Sequence, residues 1–144
     1  MNVLDYNSRE DVYDFNCGGF ALMNFEWYVP VAYRNADCFS EQMVERCANE
    51  TLEEMPELSR VRHYSDVPDE YDVIGFRVGY YSDDWIDDLH YILRRDGAWY
   101  HKMGSAQICE FEEDPDGEWC NGRYNSKIVW FAKNYSGEML DKVA

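Results

Sequence analysis

The apolar positions of the chain change period once. Before residue 56 they recur every three or four positions, and beyond residue 60 they sit in short β-branched and aromatic blocks. The first pattern predicts helices and the second predicts strands. Residues 16–30 read as a helix, with Asn16 as its N-cap, Phe20, Met23 and Trp27 on one face and Pro30 as its stop. Gly18 and Gly19 are poor helix formers, so another group is expected to approach the backbone closely there. Residues 38–55 read as a second helix ended by Pro56. Phe39, Met43, Cys47, Ala48, Leu52 and Met55 make its apolar stripe, and Glu41, Glu45, Arg46, Glu50, Glu53 and Glu54 fill the other face. On that stripe Cys47 reads as a buried core thiol. Residues 1–15, polar with scattered aromatics, read as an irregular arm.

Residues 72–81, 89–95, 98–103 and 127–133 read as strands, and Asp96-Gly97 is a strong signal for a two-residue hairpin. Residues 82–88 and 110–122 read as acidic loops. Helices followed by an antiparallel sheet make an α+β layout. Repeats, linkers and low-complexity stretches are missing, so residues 1–144 are expected to form a single domain. With Asp96 and Gly97 as the loop, Arg95 pairs with Ala98 and Ile92 with His101. His90, Ile92, His101 and Met103 then share one face. His90 and His101 become diagonal neighbours, roughly 7–8 Å apart at Cα.

Charge changes this picture most. The chain carries 29 Asp plus Glu against 13 Lys plus Arg, a formal charge of −16. Such a field repels phosphate backbones, which excludes direct nucleic-acid binding. An acidic, solvated surface is the plain reading. The sharper one is imitation of a polyanion, and an aromatic fraction of 17% favours it, because solubility alone needs no aromatics. The cysteines are Cys17, Cys38, Cys47, Cys109 and Cys120, an odd count with no Cys-x-x-Cys spacing. The expectation is free thiols in a reducing cytoplasm, no structural zinc, no metal and no cofactor. No stretch reaches the roughly 20 apolar residues that span a bilayer.

One constellation looks catalytic. Cys17 falls in the first turn of a predicted helix, where amides and the macrodipole stabilise a thiolate. His90 and His101 supply a base and a group to orient it. A Cys at a helix start followed by His residues on adjacent strands resembles the papain-like NlpC/P60 arrangement. That resemblance implies Cys17 as nucleophile on an amide carbonyl, His90 as base and His101 as orienting group, within a papain-like fold. This sequence has Asn16 where that family usually has Asp, and Gly-Gly where Ser is common. The stretches 16–22 and 88–105 also resemble small, uncharacterised acidic proteins of phages and gut bacteria.

Two function classes follow. The first is a phage-type inhibitor of the anti-CRISPR or anti-restriction kind, docking by polyanion mimicry on the basic nucleic-acid-binding surface of a host defence nuclease. Its leading contacts are Asp83, Asp84, Trp85, Asp87 and Asp88, with Glu110, Glu112, Glu113, Asp114 and Asp116 behind them. The second is a cysteine peptidase or amidase using Cys17, His90 and His101, with amides near Gly18 as oxyanion hole. His63 reads as an isolated surface residue.

Overall fold

The computed structural model describes residues 2–137. Its strands are β1 Leu58–Val61, β2 Val73–Tyr80, β3 Ile86–Arg95, β4 Ala98–Lys102, β5 Ile108–Glu110 and β6 Val129–Lys133. They form one antiparallel sheet in the order β1-β6-β2-β3-β4-β5. Three α-helices precede it: α1 Cys17–Ala21, α2 Val31–Arg34 and α3 Glu41–Glu54. The α+β layout expected from the change of period is present.

The central strands are buried on both faces. On one, Ile74, Phe76, Val78, Leu89, Tyr91 and Leu93 join Phe20, Val44 and Cys47 in a core beneath α1 and α3. On the other, Val73, Ile92, Trp130 and Ala132 meet Phe111, Trp119 and Tyr124 from the loops. Alternation along each strand sends odd and even positions of β3 to different cores. The turn between β3 and β4 follows the expected register. Asp96 and Gly97 have φ of 52° and 79°, Arg95 pairs with Ala98, and Ile92 pairs with His101.

Of the predicted helices, the second forms as expected, with Ser40 as N-cap through Met43 N and Cys47 fully buried. The first does not. The helix expected over 16–30 stops after Ala21, and Met23 and Phe25 take φ of 56° and 58°. The cause is the pair of glycines. A Cβ on Gly18 would lie 2.9 Å from the Tyr28 carbonyl oxygen, and one on Gly19 would overlap the Glu26 carbonyl. The chain therefore folds back, and residues 26–28 lie against α1. Asn16 seals the return: its Oδ1 accepts from Gly19 N and Tyr28 N, both at 3.0 Å, and its Nδ2 donates to Tyr28 O at 2.7 Å. Trp27, assigned to the apolar face, is instead exposed.

The arm is also ordered rather than irregular. Residues Val3–Ser8 form a 3-10 helix with a capping box between Asn2 and Asp5. The Asn7 amide bonds both backbone groups of Ile108, so the arm covers β5 (3.0 and 2.7 Å). Phe15 is fully buried. The strands β1 and β5 were hidden in sequence, since four and three residues show no alternation. With β5 in place, Glu110 is a strand residue and not part of the acidic loop.

A charged contact fastens α3 to the sheet side. Glu45 binds Arg60 of β1 and Lys127 just before β6. Those partners hold its carboxyl down at about 2, from an ordinary 4.5, with the Arg60 hydrogen bond the largest cause. A depressed carboxyl contributes stability fully present above its unfolded pKa and lost as pH falls through the folded one. Glu45→Gln should therefore flatten the loss of stability between about pH 4.5 and 2, followed by chemical denaturation across that range. Gly19→Ala should cost about 3 kcal/mol through the backbone overlap, measured by urea unfolding.

Candidate functional site

The hairpin places the two histidines as expected. His90 is buried, His101 is half-buried, and His90 Nε2 lies 3.0 Å from His101 Nδ1, so one imidazole donates to the other. Tyr124 stacks on His90 (centroids 4.8 Å, 17° between planes), and Phe111 meets His101 edge-on at 5.1 Å. Burial holds His90 down at about 3, helped by His101 and Arg123, so its ring is neutral. Burial also lowers His101, with Glu113 opposing.

Two sulfurs join the pair. Met103 follows β4, and its Sδ lies 3.7 Å from Cys120 Sγ. The ligand atoms of His90, His101 and Cys120 all lie within 4.8 Å of one another. Cys120, Asn121 and Gly122 have successive φ of 52°, 58° and 83°. The Glu113 carboxylate fixes this left-handed run by accepting from Cys120 N (2.6 Å) and Asn121 N (3.2 Å). Of the described residues, these are the side chains arranged to hold a metal ion. Sequence shows His90, His101 and Met103 on one face. It gives no signal for Cys120, whose approach depends on the bridge between Trp119 and Tyr124.

Cys17 opens α1 behind its Asn16 cap, as expected, but its thiol is not activated. Burial pushes it up to about 12, the Tyr91 amide pulls it down by less, and Asp88 adds to the rise. The helix behind it has five residues, too short for a strong macrodipole. Cys17 and His90 border the same cavity of about 500 Å³. Among the described residues no hydrogen bond joins Cys17 to either histidine. The expected His90–His101 contact forms, while Cys17 is a protonated, buried thiol.

The acidic positions divide into two kinds. Asp87 and Asp88, expected in a loop, lie in β3 and bind Arg123 (2.9 and 3.3 Å), and Tyr124 OH donates to Asp88. Glu113 holds the Cys120 loop. Asp114 accepts from Asp116 N at 3.0 Å, and Asp116 binds His63 Nε2 at 2.7 Å. His63 is therefore paired, not isolated. These five carboxylates serve the fold first. Asp83, Asp84, Glu110 and Glu112 are exposed and form no ion pair among the described residues.

Around Asp83 and Asp84 the chain makes a hydrogen-bonded tip. Asp83 Oδ1 accepts from Trp85 N at 3.1 Å, Tyr81 N donates to Trp85 O at 2.9 Å, and Asp84 has φ of 64°. Phe39 N donates to Asp84 O at 2.8 Å, and the Phe39 ring stacks on Tyr80 at 3.6 Å. Trp85 is 66% exposed and Tyr81 55%. Sequence reading found Trp85 and missed Tyr81, which its strand pattern assigned to the sheet.

No family model matches the chain, and no curated protein or solved structure matches it. No helix among the described residues is long and apolar enough to cross a membrane. Native protein treated with iodoacetamide at neutral pH should label the exposed Cys38 and Cys109 first, with Cys17 and Cys47 modified only on unfolding. Peptide mapping of the adducts checks this, and rapid labelling of Cys17 would contradict its burial.

Proposed function

We propose that this chain is a phage-type acidic inhibitor. It docks on the basic nucleic-acid-binding surface of a host defence nuclease, anti-restriction or anti-CRISPR in type, within the bacterial cytoplasm. The observation that carries the reading is the anchored tip at residues 81–85. It offers two large exposed aromatics beside two carboxylates that form no ion pair among the described residues, on a chain of charge −16. Tyr and Trp anchors on a preorganised turn are what interface hot spots are made of, and Arg-rich partners match both their rings and their carboxylates. Glu110, which pairs with Tyr100, and Glu112 lie toward the β3–β4 turn, at the other end of β3 from the tip, and form a separate exposed acidic patch. Asp87, Asp88, Glu113 and Asp116 contribute field rather than direct contacts, because they are tied to Arg123, the Cys120 loop and His63, while Asp114, which like Asp83 accepts only a local backbone N–H, stays open to a partner. The NlpC/P60-like placement, Cys17 at the head of a helix packed on the strands of His90 and His101, supports a papain-like scaffold recruited for binding.

Binding to a panel of purified restriction and CRISPR effector nucleases, read by biolayer interferometry at several salt concentrations, tests this. Affinity should fall steeply with salt, and nucleic acid preloaded in the partner's groove should compete. Trp85→Ala should cost about 2 kcal/mol or more of binding, and Asp83→Asn with Asp84→Asn should slow association. Binding that ignores salt and a filled groove would sink the proposal, as would failure to bind any member of the panel.

A further inference from the structure

We propose that His90, His101, Cys120 and Met103 form a binding site for a single copper ion. The inference does not depend on the docking reading, since none of these residues lies on the 81–85 tip. Two imidazole nitrogens, a thiol and a thioether converge from β3, β4, the residue after β4 and the left-handed loop. The nitrogens stand 3.0 Å apart and the sulfurs 3.7 Å apart. Bonds of about 2.0–2.3 Å to a tetrahedral ion place its ligands about 3.3–3.8 Å from one another. The histidine and cysteine ligand atoms, now within 4.8 Å of one another, reach that spacing with side-chain shifts of up to about an ångström.

The backbone supplies the second argument. Asn121 and Gly122 make the left-handed turn that closes the Trp119–Tyr124 bridge, with Arg123 N donating to Cys120 O at 3.2 Å, and Cys120 ahead of them takes the same left-handed conformation, which is costly for a residue with a Cβ. It turns the Cys120 sulfur toward the histidines, and the Glu113 carboxylate holds it there. The aromatic rings of Tyr124 and Phe111 fix the two imidazoles from outside. The ligand set selects the metal: thiolate and thioether are soft donors, and methionine beside two histidines and a cysteine suits copper, whereas zinc sites use nitrogen, thiolate and carboxylate. His90 and Met103 border the cavity of about 500 Å³, which gives a path inward. The strongly negative chain concentrates cations near its mouth.

The test uses the full chain with the exposed Cys38 and Cys109 replaced by serine, so that surface thiols take no metal. Copper(I) is titrated anaerobically against a chromophoric chelator, and zinc(II) in a parallel arm. One tightly held copper per chain is expected, with a raised melting temperature. Cys120→Ser and His101→Ala should each weaken copper binding by at least ~100-fold, more than the loss of an outer-shell partner would. Met103→Leu, close in volume, should weaken copper and leave zinc unchanged. Circular dichroism and the metal-free melting temperature confirm that each variant is folded. Absence of one-to-one copper binding would overturn the proposal. So would folded Cys120→Ser and His101→Ala variants that hold copper as tightly as the parent, and tighter binding of zinc than of copper would refute the choice of metal.

Discussion

Asp96 and Gly97 turn β3 into β4 with both residues in the left-handed region, and the pairing that follows fixes what each strand presents to which side. Leu89, Tyr91 and Leu93 go to the helix-covered core, and Ile92 and the histidines go to the loop-covered one. A slip of one residue would exchange these sets, burying polar rings under α3 and pushing large apolar groups against the loops. Because both cores share β3, the penalty would be felt twice. The histidine pair, its proximity to Cys120 and the seat of α1 beside β3 all follow from that one register.

The distribution of charge follows from a second constraint. A sheet covered on both faces by loops and short helices leaves many carbonyls facing inward. Lys102, fully buried, donates to Phe15 O and Gly104 O and lies 4.8 Å above the Phe15 ring. Arg94, 4% exposed, reaches Tyr64 O, Val67 O and Pro68 O. Carbonyl oxygens replace the lost hydration of these cations. Each one ties a distant segment, the arm or the 64–68 loop, to a central strand. The same device takes positive charge out of the surface, so the exterior is more uniformly acidic than the sequence count implies.

How much of this could be read from the residues depended on range. The strand pair, its turn and the facing histidines are local, governed by alternation and one dipeptide, and they were legible. Asn16 was legible as a cap, and Gly18-Gly19 as a place of close approach. The approaching groups were Tyr28 and Glu26, ten and seven residues along the same supposed helix, and so the element broke where periodicity ran on. The carboxylates looked alike in sequence. Only the fold separates Asp87 and Asp88, facing Arg123 from thirty-five or so residues away, from Asp83 and Asp84, which face no cation among the described residues. Cys120 escaped notice for the same reason, since no spacing rule connects it to His90.

The position of β6 has a consequence for how the protein is made. The last strand of the described chain, residues 129–133, lies between β1 and β2, the first two. While the chain is being synthesised, β2, β3 and β4 can pair as they emerge, but β1 has no neighbour until residues 129–133 leave the ribosome. For most of translation β2 therefore exposes one unpaired edge, and the core under Trp130 has no lid. Closure of the sheet is a late, long-range step, of the kind that slows folding and leaves nascent chains open to wrong partners. A ribosome that stalls before Val129 would release a hairpin sheet with an open edge, which quality-control proteases would have reason to recognise.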